Sequence, residues 1–286
     1  VTAITAAMSA GTGLAGFSKK FPRRFYDVGI AEGHAVVFAA GQAAGGMRPV
    51  IALYATFVQR ALDCLFHDVC LQNLPVIFAI DRAGVVEDGP THHGIHDLSF
   101  MRTMPNLAIM APADKNELAE MLEFSYALAS PVVIRYPRGS AEPILGMGNT
   151  PLELGRAQLV REGGDIALWA WGRELVTALQ VADELAVQGL KATVVNTRFL
   201  KPFDDELLKK HAATMPIITL ENNQIGGGLG AQTDEVLINF KHCGVRHFGW
   251  GVEILPHGSV QQLREENNFT AEYITATAID MIKKSK

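Results

Sequence analysis

The sequence predicts an α/β protein of two domains, each a mainly parallel sheet flanked by helices. Three observations carry this reading. Short, continuously apolar runs alternate with longer amphipathic ones along the 286 residues, the signature of strand–helix–strand units and so of parallel pairing. The short runs lack the every-other-residue pattern of a half-solvated strand, so both faces of each strand are expected to be covered. Hydrophobic residues make up 48% and charged residues 19% of the chain, the balance of a packed protein and not of a disordered one.

Taken in order, the chain opens at Val1, without a Met, in Val1-Thr2-Ala3-Ile4-Thr5-Ala6-Ala7. This reads as a strand already under way, the cut edge of something longer. It has neither the basic start of a signal peptide nor the Arg/Ser-rich pattern of a transit peptide. An Ala-rich helix is expected over 35–44. Strands follow at 50–54, 76–80, 107–111 and 132–136. Between the first two, Val58, Ala61, Leu62, Leu65, Phe66 and Val69 recur at steps of three and four, which predicts one helix over 56–72. Asp114 with Glu117 three residues on resembles a capping box and opens another helix, although the usual first residue is Ser or Thr. The stretch 138–150, with Gly139, Pro143, Gly146 and Gly148, is loop-like. A boundary there gives expected units 1–148 and 149–286. Beyond it, strands are predicted at 166–171, 192–196 and 217–220, and a helix at 175–186 from the stripe Leu175, Ala178, Leu179, Ala182, Leu185 and Ala186.

Charge and composition exclude several functions. The 25 basic and 30 acidic residues leave a net charge of −5, so the basic surplus that nucleic acid demands is missing. No apolar run approaches the roughly 18 residues of a membrane span. Three cysteines, Cys64, Cys70 and Cys243, are too few for a disulfide framework or a Cys-rich zinc site, and a reducing cytoplasmic setting is the expectation.

Several segments carry chemistry, and each admits two readings. Glu32 falls where the Ala-rich helix begins, so it either complements the helix dipole or serves a site. His92, His93 and His96, with Asp88 and Asp97, invite a metal reading, since His92 and His96 are four apart. Gly89, Pro90 and Gly94 place them in a loop instead, and no third ligand is evident. A polar active-site loop after the strand at 76–80 fits better, because parallel sheets bind ligands at their carboxyl ends. The run Gly226-Gly227-Gly228-Leu229-Gly230-Ala231 can be forced into a dinucleotide fingerprint, but the acidic residue expected downstream is Arg246. A turn needing close backbone approach is the other reading. Arg60, Arg82, Arg135 and Arg138 each lie at or after a strand end, where they either form ordinary salt bridges or converge on a phosphate.

A resemblance narrows these choices. The segment Arg24-Phe25-Tyr26-Asp27-Val28-Gly29-Ile30-Ala31-Glu32-Gly33-His34-Ala35-Val36 resembles the 1-deoxy-D-xylulose-5-phosphate synthase family of transketolase-like enzymes. So do Tyr54-Ala55-Thr56-Phe57-Val58-Gln59-Arg60-Ala61, Phe78-Ala79-Ile80-Asp81-Arg82-Ala83-Gly84, Asp88-Gly89-Pro90-Thr91-His92-His93-Gly94 and Arg135-Tyr136-Pro137-Arg138-Gly139. The similarity continues through Thr197-Arg198-Phe199-Leu200-Lys201-Pro202 and Glu221-Asn222-Asn223-Gln224-Ile225-Gly226-Gly227-Gly228. It implies a pyrimidine-binding domain followed by a transketolase carboxyl-terminal domain. It also implies thiamine diphosphate as cofactor, with Mg²⁺ held by an amino-terminal domain whose Gly-Asp-Gly motif is not found in this sequence, so no metal ligand is expected here.

Matched position by position, the resemblance gives Glu32 as the carboxylate that hydrogen-bonds N1′ of the aminopyrimidine, with Phe57 and Tyr54 beside that ring. It makes Arg60, Arg82 and Arg138 substrate-binding residues and puts Asp88 and His92 near the acceptor and the reacting carbon. Arg135 has no such counterpart and keeps a structural reading. The implied substrates are pyruvate and glyceraldehyde 3-phosphate, the implied product an isoprenoid precursor, and the implied assembly a homodimer completed by the amino-terminal domain in cis or in trans. Where the family usually has Glu-Gln-His, this chain has Glu32-Gly33-His34, which removes a polar contact but leaves the glutamate. A split transketolase, a 2-oxoacid dehydrogenase β subunit and a cofactor-free scaffold are the alternatives.

Overall fold

A computed structural model describes every residue except Ala141, Gly146, Asn149 and Lys286. Gly146 of the loop-like stretch and Asn149, the first residue of the expected second unit, therefore lie outside the described residues. The chain forms two sheets. In the first, six strands run parallel: β1 (Thr2–Thr5), β2 (Phe25–Asp27), β3 (Pro49–Tyr54), β4 (Ile77–Asp81), β5 (Ala108–Met110) and β6 (Val132–Arg135). The second sheet holds β7 (Gln158–Arg161), β8 (Ile166–Ala170), β9 (Ala192–Asn196), β11 (Ile217–Gln224) and β12 (Val245–Trp250) in the order β12-β11-β8-β9-β7. Only β7 runs antiparallel there. The two-sheet α/β architecture expected from the alternating runs is the one found.

A seventh strand of the first sheet comes from the second half of the chain. β10 (Phe199–Lys201) lies antiparallel to β5, with Phe199 opposite Met110 and Lys201 opposite Ile109. The Lys201 ammonium donates to the carbonyls of Arg102 and Met104, which fixes the strand in place.

Helix Glu32–Ala44 buries Ala35, Val36, Ala39, Ala40 and Ala43 against the first sheet. Small side chains at that spacing let helix and sheet approach closely. Helix Lys115–Ala127 is capped by Asp114, whose carboxylate accepts from the N–H groups of Asn116 and Glu117 at 2.9 and 3.0 Å. Glu117 reaches back one residue further than a capping box requires, to the Ala113 N–H at 2.7 Å. It also takes the Arg198 guanidinium at 2.7 Å, with both side chains buried, so that cap ties the two halves together.

The single helix expected over 56–72 is instead broken into short turns. Ala55–Val58 is α-helical, Gln59–Ala61 tightens to a 3-10 turn, Leu62–Cys64 returns to α, and Leu65–Cys70 widens to a π-helix. The cause lies in the apolar spacing. Val58, Ala61, Leu65, Val69 and Cys70 are all fully buried, and a uniform helix cannot turn two adjacent residues, Val69 and Cys70, equally inward. Wide turns of this kind concentrate near functional sites, and here the tight turn carries Arg60.

Candidate active site

The site forms where β3 and β4 end. Glu32 is the first residue of its helix and only 4% exposed, and its Oε1 accepts from Arg60 Nη1 at 2.8 Å. The Arg60 guanidinium also stands over the Phe57 ring, 5.0 Å from its centroid. Phe57 in turn stacks on Tyr54 at 5.8 Å with 14° between planes, and meets His92 edge-on at 5.4 Å. Tyr54 carries the Arg82 guanidinium 3.7 Å above its own ring. Glu32, Arg60, Phe57, Tyr54, Arg82 and His92 thus form one continuous chain of contacts. Tyr54 ends β3, so its place is set by the strand, and Phe57 follows one helical turn later.

Arg138 and Asp88 form a separate pair, 2.7 Å apart and largely exposed. They lie close enough to Tyr54 to act on its phenol, which burial pushes up and Arg82 pulls down. Arg82 sits at φ +57° directly after β4. Its backbone N–H and guanidinium both donate to Asp81, and the guanidinium also donates to the Gly11 carbonyl. Burial raises the Asp81 carboxyl, and these Arg82 contacts counter it. The four strand-end arginines therefore do not converge on one point in this structure. Arg135 is the outlier, 4% exposed and donating to Asp97 at 2.9 Å and to the Gly94 and Asn222 carbonyls. The structural reading of Arg135 matches this geometry.

The three histidines go to separate partners. His92 contacts Thr91 and Phe57, and His96 contacts Gln224 at 3.1 Å. His93 is buried, its Nδ1 accepting from the Val86 N–H at 3.1 Å, so that Nε2 carries the proton toward the Pro256 carbonyl. Burial pushes the His93 imidazole down, favouring this neutral form. Among the described residues no group of three His, Cys, Asp or Glu side chains is placed to hold a metal ion.

Sequence reasoning missed the supports. A Cβ on Gly94 would fall 2.4 Å from both Ala55 Cβ and the Arg82 carbonyl, so only glycine lets the histidine loop close on the site. A Cβ on Gly11 would strike the Tyr54 hydroxyl. Gly33, by contrast, meets nothing nearer than Cys64 Sγ at 3.7 Å. The space permits a side chain, and Gly33→Ala should stabilise the chain by about 0.4–1 kcal/mol through the unfolded state. Urea melts of the two proteins measure it, and a destabilised variant would mean the glycine is required.

The glycine run after β11 proves to be a close backbone approach. A Cβ on Gly228 would overlap Glu221 Oε2, and one on Gly227 would overlap Ser99 Oγ. Glu221 is fully buried and accepts from the N–H groups of Leu229 and Gly230 at 2.8 and 2.7 Å. Burial pushes its carboxyl up to about 8 from the ordinary 4.5, against those two donors. Between these values the folded chain holds a proton that the unfolded chain releases, so stability falls as pH rises through that window and levels off above it. Glu221→Gln should flatten this slope by up to one proton between pH 5 and 8 in urea melts. An unchanged slope would assign it to other groups.

Comparison with known proteins identifies the family. The family profile "Transketolase, pyrimidine binding domain" matches residues 1–143, and "Transketolase, C-terminal domain" matches residues 155–274. A 1-deoxy-D-xylulose-5-phosphate synthase of Desulfotalea psychrophila is 48% identical over 99% of this chain and 45% of its own length. One from Geobacter sulfurreducens is 49% identical over 96% of this chain and 44% of its length. The chain thus spans about half the length of these curated relatives. Among solved structures, "Split gene transketolase, inactive beta4 tetramer" superposes with a TM-score of 0.89 at 30% identity, covering 100% of this chain and 93% of that one. The transketolase of Campylobacter jejuni shares the fold, with a TM-score of 0.80 at 21% identity. The chain belongs to the transketolase family and joins that family's pyrimidine-binding domain to its C-terminal domain.

Proposed function

We propose that this chain, read as units 1–148 and 149–286, supplies the pyrimidine side of a 1-deoxy-D-xylulose-5-phosphate synthase, a thiamine-diphosphate-dependent transferase that condenses pyruvate with glyceraldehyde 3-phosphate. The observation that carries this is the buried Glu32 carboxylate, joined through the Arg60 guanidinium to the Phe57 ring. A flat, basic heterocycle needs both: an anion for its ring nitrogen and an aromatic face for its plane. The Arg60 guanidinium, itself flat and cationic, already bonds the one and stands over the other. The residues present therefore fit an aminopyrimidine. Thiamine diphosphate, when bound, supplies the electron sink for decarboxylation of a 2-oxo acid.

In this reading Glu32 holds a proton at the ring nitrogen, and Phe57 and Tyr54 set the plane. Asp88 and His92 act near the reacting carbon. Arg60, Arg82 and Arg138 bind substrate, holding the acceptor's phosphate and hydroxyls. Mg²⁺ belongs to the amino-terminal part that the longer relatives have, and we place the enzyme in the cytoplasm. No helix among the described residues is long and apolar enough to cross a membrane. A homodimer is part of the proposal, since Ile30 and Val37, flanking Glu32, are 79% and 46% exposed.

The test supplies an amino-terminal half of the family, in cis or in trans, and follows pyruvate consumption with glyceraldehyde 3-phosphate. Turnover only with both halves and both substrates is expected. No turnover with any such half, or turnover with ketose donors alone, would overturn the assignment. The near end-to-end match with a split-gene subunit favours a second reading, that this chain works as a separate subunit; copurification with a discrete amino-terminal chain would establish it.

Arginine substitutions separate binding from chemistry. A charge-assisted contact to phosphate is worth about 1.5–3 kcal/mol, so Arg138→Ala should raise KM for glyceraldehyde 3-phosphate at least tenfold and that for unphosphorylated glyceraldehyde far less. Arg60→Ala should lower kcat as well, because it strips Glu32 of its partner. Equal losses with both acceptors would refute the phosphate role of Arg138.

A further inference from the structure

A cavity of about 800 Å³ lies between the two halves of the chain, where β5, β6 and β8 end. Volumes of this order are those of small-molecule sites, which favour such junctions. Of the candidate active-site residues only Arg138 reaches its rim; Glu32, Tyr54, Phe57, Arg60, Arg82 and His92 do not line it. Three features of the lining are unspent. Trp171 is 2% exposed, and its buried indole N–H meets no acceptor among the described residues. A buried donor in that state is costly unless something fills it. Arg173, half-buried, donates only to the main-chain carbonyls of Ala113 and Glu142 and has no carboxylate partner among the described residues. Val85, Val86, Leu118 and Val260 line an apolar side.

The other basic side chains of the lining each have a carboxylate partner, Arg138 with Asp88 among them, and the lining also includes the exposed Glu87. Arg264 is held bidentate by Glu174 at 2.8 and 2.9 Å, Arg135 by Asp97, and Lys115 by Glu142. The lone guanidinium is therefore the one that selects a ligand's charge. Gly172, at φ +62° between Trp171 and Arg173, turns the chain so that both can line the cavity.

We propose that this cavity is a second binding site, for a small organic anion with an apolar body and one further hydrogen-bond acceptor. Its acid group, a carboxylate or a phosphate monoester, pairs with Arg173, its acceptor takes the Trp171 N–H, and its body lies along the valine and leucine wall. Because the lining comes from both halves, the occupant bridges them. The proposal is independent of the synthase reading.

Calorimetric titration of the complete protein tests it, with 4-hydroxybenzoate and 4-hydroxyphenyl phosphate as the two anionic probes. 4-Hydroxybenzamide is the neutral control and inorganic phosphate the control without a body. One anion should saturate at one site per chain, with both controls at least tenfold weaker. Arg173→Gln should weaken it at least tenfold, Arg173→Lys should restore part of the loss, and Trp171→Phe should weaken it at least threefold. Thiamine diphosphate titrations should be the same in all variants. Equal binding of the amide, binding untouched by the Arg173 changes, or no saturable binding of either anion would overturn the proposal. If Trp171→Phe lowers the melting temperature sharply, the Gln and Lys variants of Arg173 decide the matter alone.

Discussion

In the complete enzyme, Glu32→Gln should slow exchange of the C2 proton of bound thiamine diphosphate by at least 10²-fold, and by up to about 10⁴-fold, the range a positioned acid–base group contributes. The geometry says why the effect should be so large for so small a change. Glu32 opens its helix and is only 4% exposed, so bulk water has little access to stand in for it. An amide of the same shape fills the space but cannot shuttle a proton to a ring nitrogen. It also gives up the ionic bond to Arg60. Exchange followed by proton NMR after acid quench reads the step directly, and cofactor titration shows that binding survives. Exchange at the wild-type rate in Glu32→Gln would remove the glutamate from the mechanism.

Arg135→Met should cost about 3–5 kcal/mol of stability, the price of leaving one member of a buried ion pair alone. Asp97 would lose Nε at 2.9 Å and Nη2 at 3.2 Å, and it is fully enclosed. Three further acceptors, the carbonyls of Gly94 and Asn222 and the Asn223 amide oxygen, would lose their donor in the same step. Arg135→Lys should recover only part of the loss, since an ammonium cannot reproduce the planar fork that meets acceptors on several sides. Asp97→Leu combined with Arg135→Met should be less harmful than the sum of the two, because no orphan charge remains. Urea midpoints of the wild type and the four variants provide the comparison. A loss under 1 kcal/mol for Arg135→Met would mean that solvent enters and repairs the network.

The central strands were legible because they are buried on both faces and so spell themselves out as apolar runs. β3, β4, β6, β8 and β9 fall within or next to their expected ranges. β2, β7, β10 and β12 were not foreseen, and each sits at an edge of its sheet. In β12 only Phe248 and Trp250 are buried, so no continuous apolar run marks it, and β2 and β10 are three residues long, too short for a period to register. The helix over 56–72 was misjudged because side-chain spacing records which residues point inward, and backbone hydrogen bonding is free to shift beneath it. For the site, the residues themselves were legible only through resemblance: a lone Glu at a helix start or a Phe after a strand has an ordinary explanation. The partnership of Arg60 with Glu32, 28 positions apart, has no signature in either segment. Nor do Gly11 and Gly94, whose need for glycine comes from Tyr54 and Ala55 in space.

The seventh strand has a bearing on any attempt to take the chain apart. A cut near residue 148 divides the sequence between its family domains but not the sheet, since Phe199–Lys201 would depart with the second piece. The first piece would then expose the whole free edge of β5, a row of unpaired N–H and C=O groups on a strand whose residues are all buried in the intact chain. Such an edge is a template for strand addition between molecules. The two halves are thus joined as a clasp is joined, each half incomplete at its own rim. Separating the pieces would leave the first with a sticky rim, whereas a nick at the same point, with both pieces retained, would leave the clasp shut.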